Sequence, residues 1–235
     1  MFTFQTTVSY SRVDRHGQVP LHEIMNYFQD CTNFHSESLG AGVDFMESVG
    51  RAWIIVAYKI KIKKQIKLGQ DICVGTAPTK FKGMFASRNF VIRDAQGEEL
   101  VQADSLWILM DLSNRRPTRI TEEDTRMYRE EEAFPNLTAT RRIRLEGEGK
   151  EFPAFQVRKT YIDNNGHMNN ADYLRAAAEF LPDDIEWKEL DIVYSREAME
   201  GETIVPYLYE ETDGMGICFE SVQGEVLTKI KLLAD

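Results

Sequence analysis

The sequence predicts an α+β protein built from two copies of one unit, each a single helix wrapped by an antiparallel sheet. Three observations predict it: an internal repeat, an apolar stripe at helical period near the start of each copy, and strand-like stretches joined by short glycine-bearing turns after each helix. Val8 to Met25 aligns without gaps on Val157 to Leu174, an offset of 149 residues. Under that offset Val13-Asp14 lies on Ile162-Asp163, Gly17 on Gly166, Val19 on Met168 and Ile24-Met25 on Tyr173-Leu174. Similarity over a fixed spacing is the mark of a duplicated structural unit.

In the first copy a helix is predicted over residues 21–39, because Leu21, Ile24, Met25, Phe28, Cys31 and Thr32 recur near helical period. Strands follow over 53–66, 72–78, 85–94 and 99–111, with turns at Leu68-Gly69-Gln70-Asp71 and Ala95-Gln96-Gly97-Glu98. The second copy repeats the order. A strand-like approach over 155–162 leads to a helix over 171–180, whose Tyr173, Leu174, Ala177 and Phe180 face one way, and to strands over 190–198, 204–210, 216–222 and 225–233. Gly69 matches Gly201, and Gly97 matches Gly224. A lone helix followed by a long meander is buried most simply on the concave side of the curling sheet, which is the hotdog arrangement; the chain is expected to be a tandem (double) hotdog. Two such units mimic the dimer that a single unit must form, so a monomer with an internal pseudo-dimer and a homodimer both stay open. The expected boundaries are 1–120 for the first unit, 121–152 for a linker and 153–235 for the second unit. In the linker Thr121-Glu122-Glu123-Asp124 looks like a helix start, with a short charged helix over 125–132 ended by Pro135.

The bulk numbers narrow the function classes. The chain has 235 residues, 43% hydrophobic and 28% charged, as ordinary soluble globular proteins do. A net charge of -10 argues against non-specific nucleic-acid binding, which needs a basic field. No apolar run approaches the ~18 residues of a bilayer span, and the first residues lack a basic region followed by an apolar stretch, so a cytoplasmic protein without a leader is expected. Cys31, Cys73 and Cys218 are odd in number and lack C-x-x-C pairing, so neither a disulfide framework nor a zinc site is expected, and no other metal or cofactor. Cys31 and His35 share a helical face, but Cys31 sits within the apolar stripe and reads as a core thiol. Three local basic clusters interrupt the acidic background: Lys59 to Lys67, Arg115 to Arg119 and Arg141 to Arg144. Each reads first as a solvated face, yet an acidic partner would need one of them.

The densest polar chemistry lies in Tyr161-Ile162-Asp163-Asn164-Asn165-Gly166-His167-Met168-Asn169-Asn170-Ala171-Asp172-Tyr173. Asn169 or Asn170 suits the N-cap of the second helix. Asp163, Asn165 and His167 alternate just ahead of a helix start with free N–H groups, a place that can polarise a carbonyl. Asp, Asn and Gly are also ordinary turn formers, and the residues alone leave both readings open.

This string resembles the D-x-N-x-H-x-N-N signature of the acyl-acyl-carrier-protein thioesterases, matching at Asp163, Asn165, His167, Asn169 and Asn170. Tyr194-Ser195-Arg196-Glu197-Ala198 is similar to the Y-R-R-E-C stretch of the plant members, and the resemblance places their glutamate at Glu197, on the long strand of the second unit. The cysteine of that stretch is replaced by Ala198, so a thiol nucleophile is excluded there. The resemblance extends to the first unit, including Asn114-Arg115-Arg116-Pro117. It implies a bacterial-type enzyme that hydrolyses fatty acyl-acyl-carrier protein, with the acidic carrier as partner and Asp163, Asn165, His167 and Glu197 as the catalytic set. The repeat supplies a control: where the second unit has Asn165 and His167 the first has His16 and Gln18, and only Asp14 keeps its carboxylate. The first unit is therefore read as holding the acyl chain and the second as catalytic, by general-base attack of water. Sequence does not rank Asp163 against Glu197 as the base. An acyl-CoA thioesterase on the same scaffold and a non-catalytic acyl-thioester binding protein are the competing readings, separated by matched acyl-CoA substrates and by release of free thiol.

Overall fold

The computed structural model describes residues 1–182 and 185–234. The chain divides into two compact units, Met1–Ala139 and Thr140–Asp235, each a hotdog.

The first unit opens with β1 (Phe2–Thr7), a short 3-10 turn at Tyr10–Arg12, α1 (Leu21–Ser38) and α2 (Val43–Ser48). Four long strands follow: β2 (Arg51–Ile62), β3 (Asp71–Lys82), β4 (Phe85–Asp94) and β5 (Glu99–Asp111), with a two-residue β6 (Arg116–Pro117) on β5. Their antiparallel order is β1-β3-β4-β5-β2. Of the stripe read from the sequence, helix α1 buries Ile24, Met25, Phe28 and Cys31 and leaves Leu21 and Thr32 part-exposed, and Phe28 stacks on Phe90 of β4 at 4.7 Å and on Tyr58 of β2 at 6.4 Å. Buried Ile60 and Ile62 alternate with lysines, of which Lys63 and Lys64 reach Glu99 and Glu98.

After β5 the expected helix over 125–132 is replaced by α3 (Glu122–Thr125), one turn closed by a Thr121–Asp124 capping box. The run beyond it carries too little apolar surface to pack as a helix, and its backbone is satisfied instead by the first unit: Glu131 N–H donates to Pro78 O, Phe134 N–H to Asn89 Oδ1 at 2.7 Å and Ala139 N–H to Asp104 Oδ2 at 2.8 Å.

The second unit has short strands β7 (Lys150–Glu151) and β8 (Phe155–Gln156), a 3-10 turn at Lys159–Tyr161, α4 (Asn170–Ala178), and β9 (Glu189–Tyr194), β10 (Thr203–Glu211), β11 (Gly214–Ser221) and β12 (Val226–Leu233). Its antiparallel order is β9-β12-β11-β10, with β7 and β8 both pairing β10. Tyr173 of α4 packs against Phe219 of β11 at 5.8 Å and Tyr194 of β9 at 6.0 Å. Two expectations are corrected. The approach to the motif is a strand only at Phe155–Gln156, and β9 ends at Tyr194, so Glu197 lies in the loop after the strand rather than on it. Among the described residues no helix is long and apolar enough to cross a membrane.

The duplication extends to single hydrogen bonds. Tyr10–Arg12 and Lys159–Tyr161 form the same 3-10 turn, and α1 and α4 begin at equivalent residues, Leu21 and Asn170. Val19 N–H donates to Ile66 O at 2.9 Å, as Met168 N–H does to Ala198 O at 2.8 Å. Gly69 N–H donates to Val8 O at 2.9 Å, as Gly201 N–H does to Val157 O at 2.8 Å.

Candidate active site

The motif forms a tight turn. Asp163 N–H donates to His167 O at 2.9 Å, Gly166 N–H returns to Asp163 O at 3.1 Å, and Ile162 bridges Met168 across it. Gly166 sits at φ +83°, a left-handed conformation that disfavours a Cβ, and Gly17 at φ +71° serves the same purpose in the first unit. The Asp163 carboxylate closes the turn from inside, accepting the Asn165 backbone N–H at 2.8 Å and the Asn165 side-chain amide at 3.3 Å. Asp14 does the equivalent work in the first unit, accepting the N–H groups of His16 at 2.8 Å and Gln18 at 2.9 Å. Asn169 is the N-cap of α4: its Oδ1 accepts Ala171 N–H at 2.9 Å, and its carbonyl accepts Asp172 N–H at 2.9 Å.

The loop after β9 brings the remaining residue in. Because Met168 N–H is bonded to Ala198 O, the residues just before them, His167 and Glu197, are brought side by side, and His167 Nε2 lies 3.0 Å from Glu197 Oε2. The imidazole is mostly covered, at 14% exposure, while the carboxylate is 37% exposed, so the pair has one protected and one wet end. Of the four sequence candidates, the structure joins His167 to Glu197 and Asp163 to Asn165. Tyr194 adds a link that the sequence reading did not include, its hydroxyl donating to Asn170 O at 3.1 Å at the start of α4. Arg196 is the other omission. Its guanidinium binds Glu202 and the carbonyl of Glu197, and the clue available in the sequence was the exchange of Gln70 for Glu202 between the copies.

The two buried thiols offer no competing chemistry. Cys31 is fully buried with its Sγ 3.5 Å from Val74 O, and burial pushes the thiols of Cys31 and Cys218 each up to about 12. His35 is engaged with Arg88 Nη1 at 3.1 Å and is not a partner for Cys31. A pocket of about 250 Å³ opens in the first unit beside Met1, Phe2, His35, Leu39, Pro78 and Met127, with none of the four motif residues in its wall.

Comparison with known proteins identifies the family. Family models described as the acyl-ACP thioesterase N-terminal domain and the acyl-ACP thioesterase C-terminal domain match residues 1–128 and 146–232. Oleoyl-acyl carrier protein thioesterase 2 of Arabidopsis thaliana chloroplasts is 24% identical over 210 residues, which cover 80% of this chain and 57% of that protein. The chloroplastic acyl-[acyl-carrier-protein] hydrolase FATB2 of Cuphea viscosissima is 24% identical over 200 residues, covering 74% of this chain and 46% of that one. The chain thus spans about half the length of these curated relatives. The crystal structure of an acyl-ACP thioesterase from Bacteroides thetaiotaomicron superposes with a TM-score of 0.90 at 20% identity, covering 98% of this chain and 96% of that one. The 12:0-ACP thioesterase from Umbellularia californica superposes with a TM-score of 0.82 at 19% identity, covering 99% and 97%. At such identities the superpositions speak for the fold, and the family models, which together take in most of the chain, speak for descent: the chain belongs to the acyl-ACP thioesterase family.

Proposed function

We propose that the protein hydrolyses the thioester of a fatty acyl-acyl-carrier protein to a free fatty acid and the carrier's thiol, using the His167–Glu197 pair as the base. The observation that carries this reading is the 3.0 Å contact between His167 Nε2 and Glu197 Oε2 at the start of a helix, in a chain of this family. Water gives its proton to the pair while its oxygen bonds to the thioester carbon. The C–S bond then breaks and the proton passes to the departing thiolate, so atoms and charge balance without a metal. The thioester oxygen, negative in the intermediate, is assigned to the Asn170 N–H and the Asn165 amide, because Ala171 and Asp172 already spend their N–H groups on Asn169.

Comparison of the copies supports one carboxylate over the other as the base. The first unit keeps Asp14 in the turn-closing role that Asp163 fills, although it lacks the imidazole, so that role belongs to the turn. Glu197, by contrast, has Gln65 in its place in the first unit, by the alignment of Ile66 on Ala198. Glu197 is therefore assigned to the base and Asp163 to orienting Asn165. The first unit, which keeps the turn but lacks the imidazole and the glutamate, is assigned to the acyl chain. For the acidic carrier the docking candidates are the three basic clusters at 59–67, 115–119 and 141–144.

The test is a free-thiol assay over matched acyl-carrier and acyl-CoA thioesters. Faster turnover of the carrier thioesters, lost in His167→Ala, is the expected result. Undiminished turnover in His167→Ala would overturn the site, and preference for the CoA series would overturn the partner.

A further inference from the structure

Glu197 has to meet His167 from a loop without regular structure, and most of what holds that loop is shared with the first unit. Ser195 and Arg196 N–H groups both donate to Leu227 O, as those of Lys63 and Lys64 do to Leu100 O. Met199 N–H donates to Glu202 Oε2 at 3.1 Å, as Lys67 N–H does to Gln70 Oε1 at the same distance. The backbone of the loop is thus fixed equally well by a glutamine or a glutamate at its end.

One device differs. In the first unit Lys64 reaches across to Glu98 at 2.7 Å. In the second, the equivalent Arg196 uses its fork several ways: Nη1 donates to the backbone carbonyl of Glu197 at 3.0 Å and to Glu202 Oε2 at 3.3 Å, Nη2 binds Glu202 Oε1, and Nε lies 3.3 Å from Glu225 Oε2. A lysine ammonium is a point charge on a flexible stem, whereas a guanidinium holds a carboxylate and a carbonyl in one plane. The exchange of Lys64 and Gln70 for Arg196 and Glu202 accompanies the exchange of Gln65 for Glu197.

We propose that Arg196 and Glu202 are a positioning pair, which sets the Glu197 peptide so that its carboxylate meets His167 without either residue touching substrate. This rests on the reading that His167 and Glu197 form the base. A loop released from the clamp still folds, since the first unit's loop does so with lysine and glutamine, but its carboxylate samples positions away from the imidazole.

The experiment compares Glu202→Gln, Arg196→Lys and the double variant with wild type, measuring kcat, KM, the pH-rate profile and Tm on the full chain with acyl-carrier thioesters, and runs Glu197→Gln in parallel. Both single variants are expected to lower kcat by about tenfold with KM held, the size of effect that slight misplacement of a reacting group produces. The fall in kcat is expected at every pH across the profile, with KM held throughout. The double variant is expected to fall no further than the worse single, as one device broken twice. Wild-type kcat and profile in Glu202→Gln and Arg196→Lys, while Glu197→Gln is impaired, would overturn the positioning pair and leave the site standing. Wild-type kcat in Glu197→Gln would remove the site reading itself. A fall in Tm with kcat per folded molecule unchanged would make the clamp merely structural and likewise overturn the proposal.

Discussion

The second unit's loop-and-turn and its counterpart in the first unit share a backbone and differ in chemistry. Both have a 3-10 turn, an aspartate-closed turn with glycine in the left-handed region, and an N–H to carbonyl bond that lays the turn against the loop after a strand. On that frame the second unit places His167 and Glu197 and the first places Gln18 and Gln65. The backbone frame is therefore a property of the scaffold, and the proposed activity is a property of the side chains placed on it. Glutamine retains the polarity and approximate size of each partner but cannot take a proton at neutral pH.

The sharpest break of that comparison is exchange at equivalent positions. Glu197→Gln, which writes the first unit's residue into the second, is expected to lower kcat by about 10²–10⁴-fold, the range of general acid–base catalysis, with the circular dichroism melt unmoved. Gln18→Ala is expected to leave kcat within about twofold, since no proton transfer is assigned there. Equal losses from both would mean that the two sites act together and that the division of labour is wrong.

A smaller effect separates turn from chemistry. Asp14→Asn and Asp163→Asn each weaken hydrogen bonds inside equivalent turns, so each is expected to cost about 1 kcal/mol, or roughly 2–4 °C in Tm for a chain of this size. Only Asp163→Asn should also slow turnover, by about tenfold, because only there does the carboxylate orient Asn165. A larger loss in Asp163→Asn than in Glu197→Gln would reverse the assignment of the base.

The repeat explains what could be read from the sequence and what could not. The offset that laid Gly17 on Gly166 predicted the turn, the helix starts and the juxtaposed strands, because those depend on glycine, capping and apolar spacing. The same reasoning carried the strands on to Ile66 and Ala198, whereas β2 ends at Ile62 and β9 at Tyr194. Ile66 and Ala198 are buried, as strand residues would be, but their burial serves to anchor a loop carbonyl for Val19 and Met168. A buried apolar residue looks alike in both settings until its hydrogen-bond partner is known. The helix expected over 125–132 failed for a related reason. Asn89 and Asp104 are polar residues inside strands, and their side chains take up the N–H groups of Phe134 and Ala139 along an extended run, a demand that local helix propensity does not register. The Arg196–Glu202 pair escaped notice because each residue alone is an ordinary surface charge.

The mildest effect concerns two titrating groups of the first unit, half-buried His35 and buried Asp104. Burial, with Arg88 as a second cause, pushes the imidazole of His35 down to about 4, and burial pushes the carboxyl of Asp104 up to about 6 against the pull of the Ala139 and Ser105 N–H groups. A histidine with a lowered value favours folding above its ordinary ~6.5, and that contribution is lost as pH falls toward 4. A carboxyl with a raised value favours folding below its ordinary ~3.9, and that contribution is lost as pH rises through 6. Between about pH 4 and 6 the two slopes oppose one another, so together they leave stability nearly level. Removing one should expose the other. In His35→Gln the urea midpoint, taken as the difference from wild type, should fall behind as pH rises from 4 to 6.5, because the stabilisation that histidine regains over that range is missing. In Asp104→Asn the difference should run the opposite way, and neither variant should shift the pH profile of kcat, since neither group belongs to the His167–Glu197 pair. A shift of that profile by His35→Gln would mean that the first unit's interior is coupled to the second unit's chemistry, and the separation of roles drawn from the two copies would have to be abandoned.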